Sequence, residues 1–83
     1  MTKILVIEDE RSLRDDVIEA LNLSAFEVVA APNGETGLHL AREQMPDLIL
    51  CDIRMPGMDG LECAAHLNRL TTPPAIIFST AYD

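Results

Sequence analysis

The chain has 83 residues, 48% of them hydrophobic, with 14 acidic side chains against 6 basic ones and a net charge of -8. That length holds one domain, and the apolar content argues against a disordered chain. The acidic balance disfavours nucleic acid and anionic membrane as partners for the chain as a whole, because both require a cationic face, and it suits a divalent cation or a basic protein surface. Ile4 to Ile7 is a continuous apolar run with β-branched residues, which reads as a strand buried on both faces of a parallel sheet. Glu8 and Asp9 end it. Ser12 is placed to cap a helix, with Asp15 three positions on, and Leu13, Val17, Ala20 and Leu21 follow at helical spacing. Glu27 to Ala31 is a second short strand. Pro32-Asn33-Gly34 is a turn, and Asn33 caps a second helix that runs to about Gln44, where Met45-Pro46 stops it.

Leu48 to Cys51 is a third buried strand, again ended by an acid, Asp52. Met55 to Gly60 is a loop with two glycines and a proline. A third helix covers Leu61 to about Leu70, and Thr71 to Pro74 break it. Ala75 to Phe78 is a fourth strand, followed by Ser79-Thr80. Strands alternating with helices at this spacing give an α/β class with a parallel sheet. No apolar run reaches the length of a signal-peptide core or a spanning helix. Two cysteines make no disulfide framework, so Cys51 and Cys63 read as reduced packing residues of a cytoplasmic protein.

In open α/β sheets, ligands bind beyond the carboxyl ends of the strands. Three of the four strands here end in chemically able groups: Glu8-Asp9, Asp52, and Ser79-Thr80. If the first and third strands are neighbours, their ends lie ~4.8 Å apart and the three acids share one small site. Carboxylates that close repel unless a cation sits among them, and a hard oxygen-ligand ion such as Mg²⁺ fits the demand. The bland alternative is that the acids mark where strands exit into solvent. Elsewhere the signals are weaker. Gly57 and Gly60 belong to no phosphate loop, because no GxxxxGK[ST] follows a strand. His39 and His66 stand alone in helices, and Met45, Met55 and Met58 read as loop packing. Glu10 either lines the site or faces solvent.

Ile7-Glu8-Asp9-Glu10, the segment from Leu50 to Gly60, and Ser79-Thr80-Ala81 resemble the receiver domain of two-component response regulators, in register over the whole chain. The Asp52 segment carries most of the specificity. The resemblance implies a flavodoxin-like parallel sheet of order 2-1-3-4 with three helices, in a single domain over residues 1–83. It implies a signalling phosphoacceptor rather than an enzyme, with Asp52 taking a phosphoryl group from a sensor histidine kinase, a phosphotransfer protein or a small donor. Asp9 would ligate Mg²⁺, Glu8 would hold a metal-bound water, and Asp52 and the backbone carbonyl of Arg54 would complete the protein ligands. Thr80 would hydrogen-bond the phosphate and act as the switch. An aspartyl-nucleophile phosphatase is disfavoured, because that class wants Asp-x-Asp where this chain has Asp52-Ile53-Arg54.

Departures from the family pattern set further expectations. Receivers continue through a further helix, strand and helix, so this chain reads as a receiver truncated after its fourth strand. The family's phosphate-pairing lysine follows the fifth strand; here Lys3 is the only lysine and starts the first strand, at the opposite end of the sheet. Phosphorylation should therefore be impaired. The pair Glu8-Asp9 stands where Asp-Asp is also common, and the tail from Pro73 to Asp83 resembles receivers attached to LytTR-type DNA-binding domains. A helix ~10–12 Å wide covers about two strands, so the first helix alone leaves one face of strands three and four bare. That face and the open edge of strand four predict a homodimer. A structural or oligomerising fragment without switching activity is the alternative function.

Overall fold

The computed structural model describes residues 1–53, 60–70 and 73–79. Four strands, β1 (Lys3–Ile7), β2 (Glu27–Ala31), β3 (Leu48–Asp52) and β4 (Ala75–Ser79), alternate with three helices, α1 (Arg11–Leu23), α2 (Gly34–Gln44) and α3 (Gly60–Leu67). The strands form one parallel sheet in the order β2-β1-β3-β4. Class and order are those anticipated from the sequence.

The sheet separates two apolar faces by strand parity. Leu5, Ile7, Ala31, Ile49 and Cys51 join Leu38 and Ala41 of α2 and Cys63 and Leu67 of α3 in one buried core, with Ile76 and Phe78 packed against it. The opposite parity presents Ile4 and Val6, both buried. Across the register, Ile4 stands beside Leu48 and Val6 beside Leu50, which in turn stand beside Ala75 and Ile77. Helix α1 packs on β1 and β2 and buries none of its own residues fully. Among the described residues, Leu50 on this face is half-buried and Ile77 is 53% exposed. A groove of about 130 Å³ runs between α1 and this face, lined by Val6, Leu13, Val17, Leu50 and Ile77 among others.

Helix ends depart from the expected ones in two places. Helix α1 begins at Arg11 and is capped by Glu10, whose carboxylate accepts the Ser12 and Leu13 N–H groups at 2.9 and 3.0 Å. Ser12 therefore lies inside the first turn, because the longer Glu side chain reaches both orphan amides from further back. The same helix ends in a paired hydrogen-bond motif, Ala25 N–H to the Asn22 carbonyl and Phe26 N–H to the Leu21 carbonyl. Ala25 occupies the left-handed position with φ 65°. Helix α3 closes at Leu67, and residues 68–70 turn away, short of the anticipated Leu70. Asn33 caps α2 as read, its Oδ1 accepting the Thr36 N–H at 2.7 Å, and Met45 ends that helix with φ 49° ahead of Pro46.

Candidate functional site

The carboxyl ends of β1 and β3 meet side by side, with Ile7 paired to Cys51. The next residues along each strand are therefore Glu8 and Asp52, and Asp9 follows at once. Ligand oxygens of Glu8, Asp9 and Asp52 all lie within 4.8 Å of one another. Asp52 faces Ser79 of β4 across its other edge. Arg54 and Thr80, and Met55, Gly57 and Met58, fall outside the described residues.

The three acids sit in different surroundings. Asp9 is exposed, Asp52 is half-buried, and Glu8 is only 5% exposed. Burial pushes the Glu8 carboxyl above the ordinary carboxylate value of 4.5, the neighbouring Asp52 and Asp9 push the same way, and a hydrogen bond from the Glu10 N–H pulls it partway back. That bond, to Glu8 Oε2, is 3.1 Å long. The backbone of Glu8 is fixed on both sides: its N–H donates to the Ala31 carbonyl at 3.1 Å, and its own carbonyl accepts from Arg14 Nη1 at 2.9 Å. Three anionic oxygen donors converging at one point are a donor set for a hard divalent cation, and lowering that cluster's repulsion is what such an ion does.

Reading the chain as a string did not reveal the roles of Arg14 and Glu10. Their signal was present: Glu10 immediately precedes a helix, and Arg14 follows one turn later on the side that returns to the loop. The single lysine lies where it was placed, at the opposite end of the sheet. Lys3 Nζ donates to the Gln44 carbonyl at 3.1 Å and lies 3.8 Å from Glu27. His39 is exposed and pairs with Glu43 at 3.3 Å, a surface role. Cys51 and Cys63 are buried and free, as expected of packing residues, and both belong to the one buried core. The Cys63 thiol and burial push the Cys51 thiol up, and Cys51 draws the Cys63 thiol down.

Residues 4–83 match the response regulator receiver domain. The positive alginate biosynthesis regulatory protein of Pseudomonas aeruginosa is 42% identical over 83 residues, covering 96% of this chain and 34% of that protein. Sporulation initiation phosphotransferase F of Bacillus subtilis is 32% identical over 80 residues, covering 96% of this chain and 64% of that protein. The chain thus spans about a third of the first of these relatives and under two thirds of the second. Among solved structures, the response regulator TrrA of Thermotoga maritima, in complex with Mg²⁺ and BeF, superposes with a TM-score of 0.92 at 38% identity, over 99% of this chain and 71% of that one. Sheet order, acidic cluster and sequence agree with one another: the chain belongs to the receiver domains of two-component response regulators, which are signalling phosphoacceptors rather than enzymes.

Proposed function

We propose that this chain accepts a phosphoryl group on Asp52, from the phosphohistidine of a sensor kinase or phosphotransfer protein or from a small phosphodonor. The observation that carries the reading is the convergence of Glu8, Asp9 and Asp52 within 4.8 Å at the ends of adjacent strands. A carboxylate oxygen of Asp52 attacks phosphorus, the new O–P bond forms as the bond to the donor breaks, and the donor leaves with its electron pair. Mg²⁺, when bound, offsets the repulsion between an anionic carboxylate and an anionic phosphoryl group. Asp9, Asp52 and the Arg54 carbonyl would ligate it, and Glu8 would hold one of its waters. Thr80 is proposed to hydrogen-bond the transferred group. The Mg²⁺ belongs to the Thermotoga maritima structure, and the acidic cluster carries the assignment here.

Intact-mass spectrometry after incubation with acetyl phosphate and Mg²⁺ tests the reading. One phosphoryl adduct is expected on the native chain and none on Asp52→Asn; labelling that survives Asp52→Asn refutes the nucleophile. Weak Mg²⁺ binding, lost in Asp9→Ala, is expected by NMR titration, and an equal response in both refutes the metal assignment.

A second reading, self-association, is favoured by the exposed Ile77 and by the position of β4 at the end of the strand order among the described residues. The commonest closed arrangement is a two-fold dimer. Sedimentation equilibrium at micromolar concentration decides it, and a folded 9.1 kDa monomer refutes it.

A further inference from the structure

We infer that Arg14 is the positioning residue of the acidic cluster: through the backbone carbonyl of Glu8 it sets where the Glu8 and Asp9 carboxylates stand, and so how tightly the cluster takes a divalent cation; this rests on the Mg²⁺ reading of the cluster proposed above. Arg14 Nη1 donates to the Glu8 carbonyl at 2.9 Å, across six positions of chain. That carbonyl belongs to the planar peptide joining Glu8 to Asp9, so holding its oxygen fixes the orientation of the peptide and the point from which Asp9 departs. On the other side of Glu8, its N–H donates to the Ala31 carbonyl at 3.1 Å. The peptides before and after Glu8 are thus both held, which fixes the two backbone dihedrals of that residue and the direction in which its side chain leaves the chain.

The cluster needs such a hold. Its three carboxylates offer oxygens within 4.8 Å of one another and repel. Asp52 ends β3 and is paired with Ser79 of β4, so the Glu8–Asp9 turn is the part that can give way. Asp9 is exposed, and α1, which follows it, buries none of its residues fully, so packing gives the turn little support. Arginine suits the task because a half-buried side chain one turn into α1 must reach back over that turn, and the guanidinium arrives there with several N–H groups in a rigid fork. Charge alone argues the other way. A guanidinium bonded to the backbone of the cluster is a cation beside a cation site, and by Coulomb's law its removal should tighten Mg²⁺ binding. Positioning requires the opposite: removal weakens binding by about tenfold, the low end for partners that orient metal ligands. The two effects differ in sign.

NMR titration of Mg²⁺ into the folded chain, as native protein, Arg14→Met, Arg14→Lys and Arg11→Met, tests this. Methionine keeps a long arm and a good helix former and removes the donor. Arg11 lies on the same helix, exposed and 3.9 Å from Asp15, so Arg11→Met removes the same charge without touching the turn. Arg14→Met should bind Mg²⁺ about tenfold more weakly, Arg14→Lys should fall between it and the native chain, and Arg11→Met should bind no more weakly than native. With no metal present, Arg14→Met should also exchange the Glu8 and Glu10 amides faster while those of β3 keep their rates, a loosening that a loss of overall stability would not confine to the turn. Equal or tighter Mg²⁺ binding by Arg14→Met, an equal weakening in Arg11→Met, or unchanged exchange at both amides overturns the assignment. Should Arg14→Met fail to fold, Arg14→Lys decides by the same readouts, and native affinity with native exchange there overturns it. A native chain that gives no Mg²⁺ response defeats the metal reading alone, and amide exchange in the metal-free variants still decides whether Arg14 holds the turn.

Discussion

Gly37→Ala should destabilise the fold despite the usual preference of helices for alanine. Gly37 is buried in α2, pressed onto Ile7 of β1. A methyl group there would sit 2.4 Å from Ile7 Cδ1, 2.7 Å from Cγ1 and 3.3 Å from Cγ2. Carbon atoms in contact prefer about 3.5–4.0 Å, so the nearest would have to retreat by more than an ångström. The Ile7 side chain has nowhere to go. It is 1% exposed, its β-branch is stiff at χ1, and the crowded atoms lie on both branches. Overpacking of this kind costs about 1–3 kcal/mol, and the lack of relief places it near the top. Removing a mid-helix glycine returns about 1 kcal/mol. The net loss is about 2 kcal/mol, or roughly 8–16 °C in melting temperature for a domain this size. Urea denaturation followed by circular dichroism measures it. Ile7→Val removes one methyl group from the crowded side chain and alone costs about 0.5–1.5 kcal/mol. In the double variant the two losses should be less than additive by about 1 kcal/mol. An unchanged or higher midpoint for Gly37→Ala, or strict additivity, would refute the packing argument.

Glu8→Gln should stabilise the metal-free chain at neutral pH. The folded-state value of Glu8 is raised above 4.5, so the folded chain holds its proton more tightly than the unfolded one and stability falls as pH rises past that point. The advantage of the amide in urea midpoints should be present at pH 7 and gone at pH 4, where Glu8 is protonated; Mg²⁺ at pH 7 should stabilise the native chain and not the variant. Glu10→Ala removes a carboxylate that caps two amides and should cost about 1 kcal/mol, seen as faster hydrogen exchange in the first turn of α1, while Glu10→Asp should keep most of the cap. Ala25→Gly should stabilise by about 0.5–1 kcal/mol in thermal melts, since φ 65° strains alanine and suits glycine.

The strands were legible because burial on both faces of a parallel sheet leaves unbroken apolar runs, as in Ile4 to Ile7 and Leu48 to Cys51. The acid that ends each run then marks the carboxyl edge, so Glu8, Asp9 and Asp52 could be grouped before any coordinates. What the runs do not encode is which strands are neighbours; that came from the likeness to receivers. Helix ends were harder. The start of α1 was assigned to Ser12 because serine is a preferred cap, whereas a glutamate two residues earlier does the work with a longer arm. Its end carries no glycine, and the left-handed turn falls on Ala25, which no local rule would select.

The site's geometry rests on the sheet more than on the helix that follows it. Helix α1 buries no residue completely, so it cannot by itself hold the Glu8–Asp9 turn in place. The turn is instead pinned through the backbone of Glu8, by the Ala31 carbonyl on one side and the Arg14 guanidinium on the other, and through Glu10, which both caps α1 and donates its N–H to Glu8. These bonds keep a buried carboxylate beside two others in a fold that would relax the repulsion if the backbone could move. The repulsion therefore raises the proton affinity of Glu8 rather than displacing the strands. A cation that enters the cluster meets oxygens already in place, and its binding energy goes into relieving their repulsion rather than into moving the chain.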